Sequence, residues 1–309
     1  MDDEKLGLVL DTLIEYTEDD RIEFIRKNMS LLKELSAILY ESVLDIDPRE
    51  EEYDEYYSTF DSIKIAREFI EFINPNYLKD FDKFLIDGSF DIISESEEEN
   101  DDGYVDVEIL DDGKIRNSIH IPLKHNLDDV YAIVHEFFHT TNIESFENID
   151  RDLLTESVSI FYEFVLHDYL KNKNVNQKDN DASINFRLNQ LLDDSYSLNF
   201  ELDDIYDTLD SMNLDYKKHS TKEIDEYYED LISDVNYFVS SLIAIIKYYE
   251  YKKGYIRMNQ FERFNESLKR EDGLNSLNYI FIKDISEEDI KEACEFIKNE
   301  LSNVKGMKR

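Results

Sequence analysis

Glycine and proline punctuate this chain sparsely: seven glycines and three prolines in 309 residues, with Pro48 and Pro75 both in the first quarter. Glycine loosens the backbone and proline breaks the helical hydrogen-bond ladder, so a chain poor in both is expected to run in long helices. Apolar residues at three- and four-residue spacing mark segments 4–18, 20–45, 50–73, 126–142, 151–173, 184–212, 221–252, 259–270 and 286–303 as amphipathic helices with acidic outer faces. Residues 83–123 depart from this pattern. They hold three of the seven glycines, alternate apolar with polar residues and contain DDG at 101–103 and 111–113, so a small antiparallel sheet is expected there. The acidic run Ser94 to Asp102 reads as a solvated loop between two of its strands. The expected fold class is mainly α (α+β). No repeat or long linker demands a domain boundary, so 1–309 reads as one unit with an N-terminal helical subregion 1–82, the sheet 83–123 and a helical region 124–309.

Charge narrows the function classes. The chain has 73 Asp and Glu against 34 Lys and Arg, a formal net charge of -39. Phosphate backbones and anionic lipid surfaces repel such a chain, so a general nucleic-acid or membrane-surface binder is disfavoured. With 41% apolar and 13% aromatic residues it still has material for a core. The single cysteine, Cys294, allows neither an internal disulfide nor a cysteine-based zinc cluster and fits a reducing compartment. The first residues are acidic where a secretory signal would be basic. The longest apolar run, around Tyr237 to Ile246, is interrupted by Ser240 and Ser241 and is too short to span a bilayer. A soluble, cytoplasmic protein is expected; the oligomeric state is not set by the sequence.

The chemistry concentrates in the segment that follows the expected sheet, from Asn126 to His139. Asn126 or Asp128 can cap a helix whose buried side is Leu127, Val130, Ile133, Val134 and Phe137. His135 and His139 are one helical turn apart, so both imidazoles project from one face and can hold a single zinc ion. Glu136 lies about 100° round the helix, where its carboxylate reaches water at the ion rather than the ion itself. This is the HExxH arrangement: two imidazole ligands and a general base. Catalytic zinc takes a third protein ligand, and Glu156, on a second helix beyond a polar connection, is the candidate. Glu144 and Glu147 are weaker candidates because they follow His139 too closely for the chain to turn back. Glu163, two turns beyond Glu156 on the same face, either orients a ligand histidine or is a solvent-facing helix glutamate.

The run from Ser118 to His139, together with Glu156-Ser-Val-Ser159-Ile-Phe-Tyr-Glu163, resembles the catalytic core of the oligoendopeptidase F and thimet oligopeptidase family of gluzincin zinc metallopeptidases. In that family an edge strand precedes the active-site helix, and a second helix carries a glutamate ligand followed by Ser at three and Glu at seven residues. The resemblance implies a zincin-like core with His135, His139 and Glu156 as zinc ligands and Glu136 as general base and acid. It covers about residues 118–170. Farther on, Tyr237 and the residues after it resemble the family's Tyr-rich helix near the substrate carbonyl, which implies an oxyanion-stabilising role for Tyr237. The chain departs from the family at Phe138, where a glycine is usual, in a shorter connection between His139 and Glu156, in about half the usual length, and in lacking a late His and Gly-rich segment. His219, the only late histidine, reads as exposed.

The expected activity is metal-assisted hydrolysis of peptide bonds in peptides or unfolded polypeptide, with one Zn2+. Two other classes remain open: a catalytically inactive zinc-binding peptidase-like protein acting in protein–protein interaction, and a helical acidic module for basic partners with a chance HExxH.

Overall fold

The computed structural model describes residues 29–30, 32–40, 53–93, 103–110, 115–142, 152–211, 222–268, 280 and 287–301. Among these, α1 spans 32–40, followed by α2 (Thr59–Ile73), α3 (Pro75–Asp87), β1 (Phe90–Ile93), β2 (Tyr104–Ile109), β3 (Ile115–Pro122), α4 (Asp128–Thr140), α5 (Asp152–Asn172), α6 (Gln177–Ser211), α7 (Lys222–Lys253), α8 (Met258–Ser267) and α9 (Glu287–Leu301). The fold is mainly helical with one small sheet. The helix expected at 4–18, the acidic run Ser94 to Asp102, Glu144, Glu147 and His219 lie outside the described residues.

Several helices start or stop where side chains take over the backbone. The helix expected from residue 50 begins only at Thr59, because earlier N–H groups are already claimed. Those of Asp54 and Glu55 donate to the Asp179 carboxylate at 2.7 and 3.1 Å, and that of Tyr57 donates to the His125 carbonyl at 2.9 Å. Ser58 then caps α2 in a reciprocal pair with Asp61. Asn74 ends α2 and caps α3, its side chain accepting from the Asn76 N–H, with Pro75 in the first helical turn. Residues 83–87, expected in the sheet, instead complete α3, which stops at Gly88 with a φ of 78° that glycine adopts readily. Helix α6 begins at Gln177 rather than 184 because the Asn176 side chain accepts from the N–H groups of Lys178 and Asp179 at 3.1 and 3.5 Å. The polar stretch 177–183 concealed that first turn.

The sheet has the order β1-β3-β2. The β2–β3 pair is antiparallel, as expected of a hairpin, with Tyr104 opposite His120 and Ile109 opposite Ile115. The β1–β3 pair is parallel, with Asp91 opposite His120, so the sheet is mixed rather than antiparallel. The strand leading into α4 is therefore the middle one of the described strands, not an edge; β1 and β2 are the edges. β3 takes the middle because its Ile119 and Ile121 are fully buried and need cover from both sides, whereas β2 has exposed residues along its length.

Helix α4 packs against the inner face of this sheet and is held on its other sides by α2 and α5. Leu127, Val130, Ile133, Val134 and Phe137 are all fully buried, as their spacing predicts. Helix α5 lies between α4 and the long helix α7, whose Tyr248 hydroxyl donates to Asp168 at 2.9 Å. Lys247 is fully buried and donates to Glu250 at 2.6 Å and to the Ile280 carbonyl at 2.9 Å. No helix among the described residues is long and apolar enough to cross a membrane.

Candidate metal centre

Helices α4 and α5 lie side by side, and this brings residues far apart in sequence to one point. His135 Nε2 and His139 Nε2 are 3.0 Å apart, and the Glu156 carboxylate reaches them at 3.2 and 3.1 Å, one oxygen to each. His135, His139 and Glu156 thus form a group able to hold a metal ion. Around a tetrahedral zinc ion, neighbouring nitrogen and oxygen ligands sit about 3.3 Å apart, so the donor set fits the ion in both type and spacing. The Ser159 hydroxyl donates to the His135 carbonyl at 3.0 Å and ties α5 to α4 one turn beyond Glu156.

Glu163, for which two readings were left open, is buried beside a histidine rather than turned to solvent. Its Oε1 lies 3.1 Å from His135 Nδ1. A carboxylate there fixes a proton on Nδ1, so Nε2 is the nitrogen that faces His139 and Glu156 and would bind an ion. Burial alone would lower the His135 pKa, but Glu156 and Glu163 outweigh it and hold it well above the usual imidazole range. Burial opposes ionisation of both glutamates; their neighbours outweigh it, His135 and His139 for Glu156, Arg187 and His135 for Glu163, and both pKa values lie below the usual range. The pocket is thus built to favour positive charge at its centre.

Sequence reasoning missed Arg187, on α6. Its Nε donates to Glu163 at 3.1 Å and its Nη1 pairs with Asp128 at 2.8 Å, so one buried guanidinium joins the N-terminus of α4 to the residue behind His135. The guanidinium also lies over the Phe186 and Tyr131 rings. A signal was present: Arg187 is the only arginine between Arg151 and Arg257, and it stands in the apolar stripe of Ile184, Leu188 and Leu191. Asp128 does not cap α4. The α4 N-cap position is Leu127, without a side-chain bond; just before it the Asn126 side chain accepts from the Asp128 N–H at 2.9 Å, while Asp129 accepts from the N–H groups of Lys124 and His125 at 2.8 and 2.9 Å and pins the turn between β3 and α4.

Glu136 is 8% exposed and faces, with the two histidines and Glu156, a cavity of about 700 Å3. Burial pushes its pKa up, against the pull of His135 and His139. The cavity is walled by Gly103 with Val105 and Val107 of the strand β2 that follows it, by Phe186, Arg187 and Gln190 of α6, and by Asn236, Tyr237, Ser240 and Ser241 of α7. Tyr237 therefore shares the cavity with the histidine–glutamate group. Phe138 does not line it. Its ring is fully buried, stacked on Tyr162 with centroids 3.7 Å apart and edge-on to Tyr77, so it fills the α4–α5 interface.

Solved structures of similar fold are peptidases. A protein assigned as an oligoendopeptidase F from Bacillus anthracis str. Ames superposes with a TM-score of 0.56 at 11% identity, over 97% of this chain and 59% of that one. A protein assigned as a peptidase from Chlamydophila abortus gives 0.57 at 14% identity, over 92% and 55%. PZ peptidase A with an inhibitor gives 0.54 at 13% identity, over 97% and 61%. The chain thus has a peptidase-like, mainly α zincin-like fold and spans little more than half the length of these neighbours. No protein-family model and no curated protein matches the sequence.

Proposed function

We propose that this protein is a zinc-dependent peptidase acting on short peptides or unfolded polypeptide, with His135, His139 and Glu156 as the zinc ligands. The observation that carries this reading is the convergence of those three residues, with Glu136 beside them, on the wall of one cavity. Zinc held there would lower the pKa of a water molecule and polarise the scissile carbonyl. Glu136 is the group placed to take a proton from a water molecule in the cavity and to deliver it to the leaving amine, and the burial that raises its pKa suits it to both halves of the task. Glu163 orients His135 through Nδ1. Tyr237, on the α7 side of the cavity, donates to the developing oxyanion. On this reading the whole chain 1–309 is one zincin-like unit working in the cytoplasm. The likeness to peptidase folds supports the peptidase part, and the single cysteine, Cys294, supports a reducing compartment.

Phe138, whose ring fills the α4–α5 interface where the resembled family has a glycine, favours one second reading, a zinc-binding peptidase-like protein that acts through protein–protein interaction. Metal analysis together with hydrolysis of a diverse peptide library separates the two. Wild type is expected to hold one zinc and cleave. Glu136→Gln is expected to keep the zinc and lose activity by about 10²–10⁴-fold. Equal rates for the two proteins would refute the mechanism, and one equivalent of zinc without cleavage would favour the second reading.

A further inference from the structure

Gly103 stands immediately before β2, opposite Ile121 of β3 and directly over α4. Its φ lies outside the left-handed region, so no backbone conformation demands glycine there. Space does. A Cβ on this residue would lie 2.9 Å from Ile121 Cδ1, 3.1 Å from Glu136 Cγ and 3.2 Å from the His120 carbonyl oxygen. The three neighbours differ in how far they can yield. Ile121 Cδ1 is the tip of a flexible side chain and can rotate away. The His120 carbonyl belongs to the middle strand and is held by the sheet. Glu136 Cγ lies near the root of a side chain that is 8% exposed, so relief there displaces the carboxylate itself.

We propose that Gly103 is a positioning residue for Glu136: the missing side chain lets the strand backbone pass close over Glu136 and confines its carboxylate to one place in the cavity. The inference deepens the peptidase reading and rests on it for its catalytic consequence, but the contact itself is independent of activity. Gly103→Ala is expected to bind one zinc, to lower kcat by about tenfold to a hundredfold and to leave KM nearly unchanged, because misplacing a reacting group costs rate rather than binding.

A double-mutant cycle with Glu136→Ala tests the contact by thermal unfolding as well as by rate. Gly103→Ala is expected to lower Tm in the wild-type background and to lower it clearly less in the Glu136→Ala background, where Cγ is gone. If Gly103→Ala fails to fold alone, recovery of folding in the double variant supports the inference, and failure of both overturns it. An equal drop in Tm in the two backgrounds, or an unchanged kcat in an active enzyme, also overturns it. A wild type that binds zinc and cleaves nothing refutes the peptidase reading, while the Tm cycle still decides whether Gly103 holds Glu136 in place.

Discussion

Glu163 lies between a cation and a candidate ligand, 3.1 Å from Arg187 Nε and 3.1 Å from His135 Nδ1. Replacing it by Gln keeps the shape but removes the charge that fixes the His135 tautomer, so Glu163→Gln is expected to weaken zinc affinity about 10–100-fold, read by competition with a chelating dye. Arg187 has a different consequence. It balances Glu163 and Asp128, each less than a tenth exposed, and removing it leaves two buried carboxylates without their cation. Arg187→Met is expected to destabilise the fold by about 3–5 kcal/mol, read from urea unfolding of the zinc-free protein. His135, Glu136 and His139 could be found by eye, because their relation is local: one turn of one helix. Arg187 could not, since its partners sit 24 and 59 positions away on other helices.

At the scale of elements, periodicity located α4, α5, α7, α8 and α9 to within three residues, because a helix that buries one face must repeat its apolar residues every turn. It failed at residues 53–58, where the distant Asp179 carboxylate claims the backbone, and at the start of α6, where the polar stretch 177–183 hides turns capped by the adjacent Asn176. The short connection from β3 to α4 shows such a device with a pH signature. Asp129 is 2% exposed and holds two backbone N–H groups, yet burial outweighs them and pushes its pKa up to about 6. The folded state therefore binds the proton more tightly than the unfolded state, whose aspartate titrates near 3.8. The stability tied to that proton is complete below the unfolded value and is lost as pH rises through about 6. Between pH 5 and 7, above the pI of 4.3, the urea midpoint of wild type should fall with rising pH more steeply than that of Asp129→Asn.

At the scale of the whole molecule, a net charge of -39 surrounds a cavity whose inner wall carries Glu136, Glu156 and Glu163. A field of that sign raises the local concentration of cationic substrates and falls off with salt. Basic peptides are expected to show higher kcat/KM than acidic ones of equal length at low ionic strength, with the gap narrowing in 0.5 M salt, where the Debye length is about 4–5 Å. Comparable rates at low salt would remove charge as a determinant.

The sequence alone determined the helical character, the hairpin of β2 and β3, the buried side of α4 and the spacing of His135, Glu136 and His139, since each depends on residues within a few turns of one another. Only the tertiary structure decided that β1 runs parallel to β3, that Glu163 faces His135 rather than solvent, that Arg187 closes the charge balance behind it, and that Gly103 crosses over Glu136. Those relations join chain segments tens of residues apart, and packing rather than local preference selects among the partners each residue could have had.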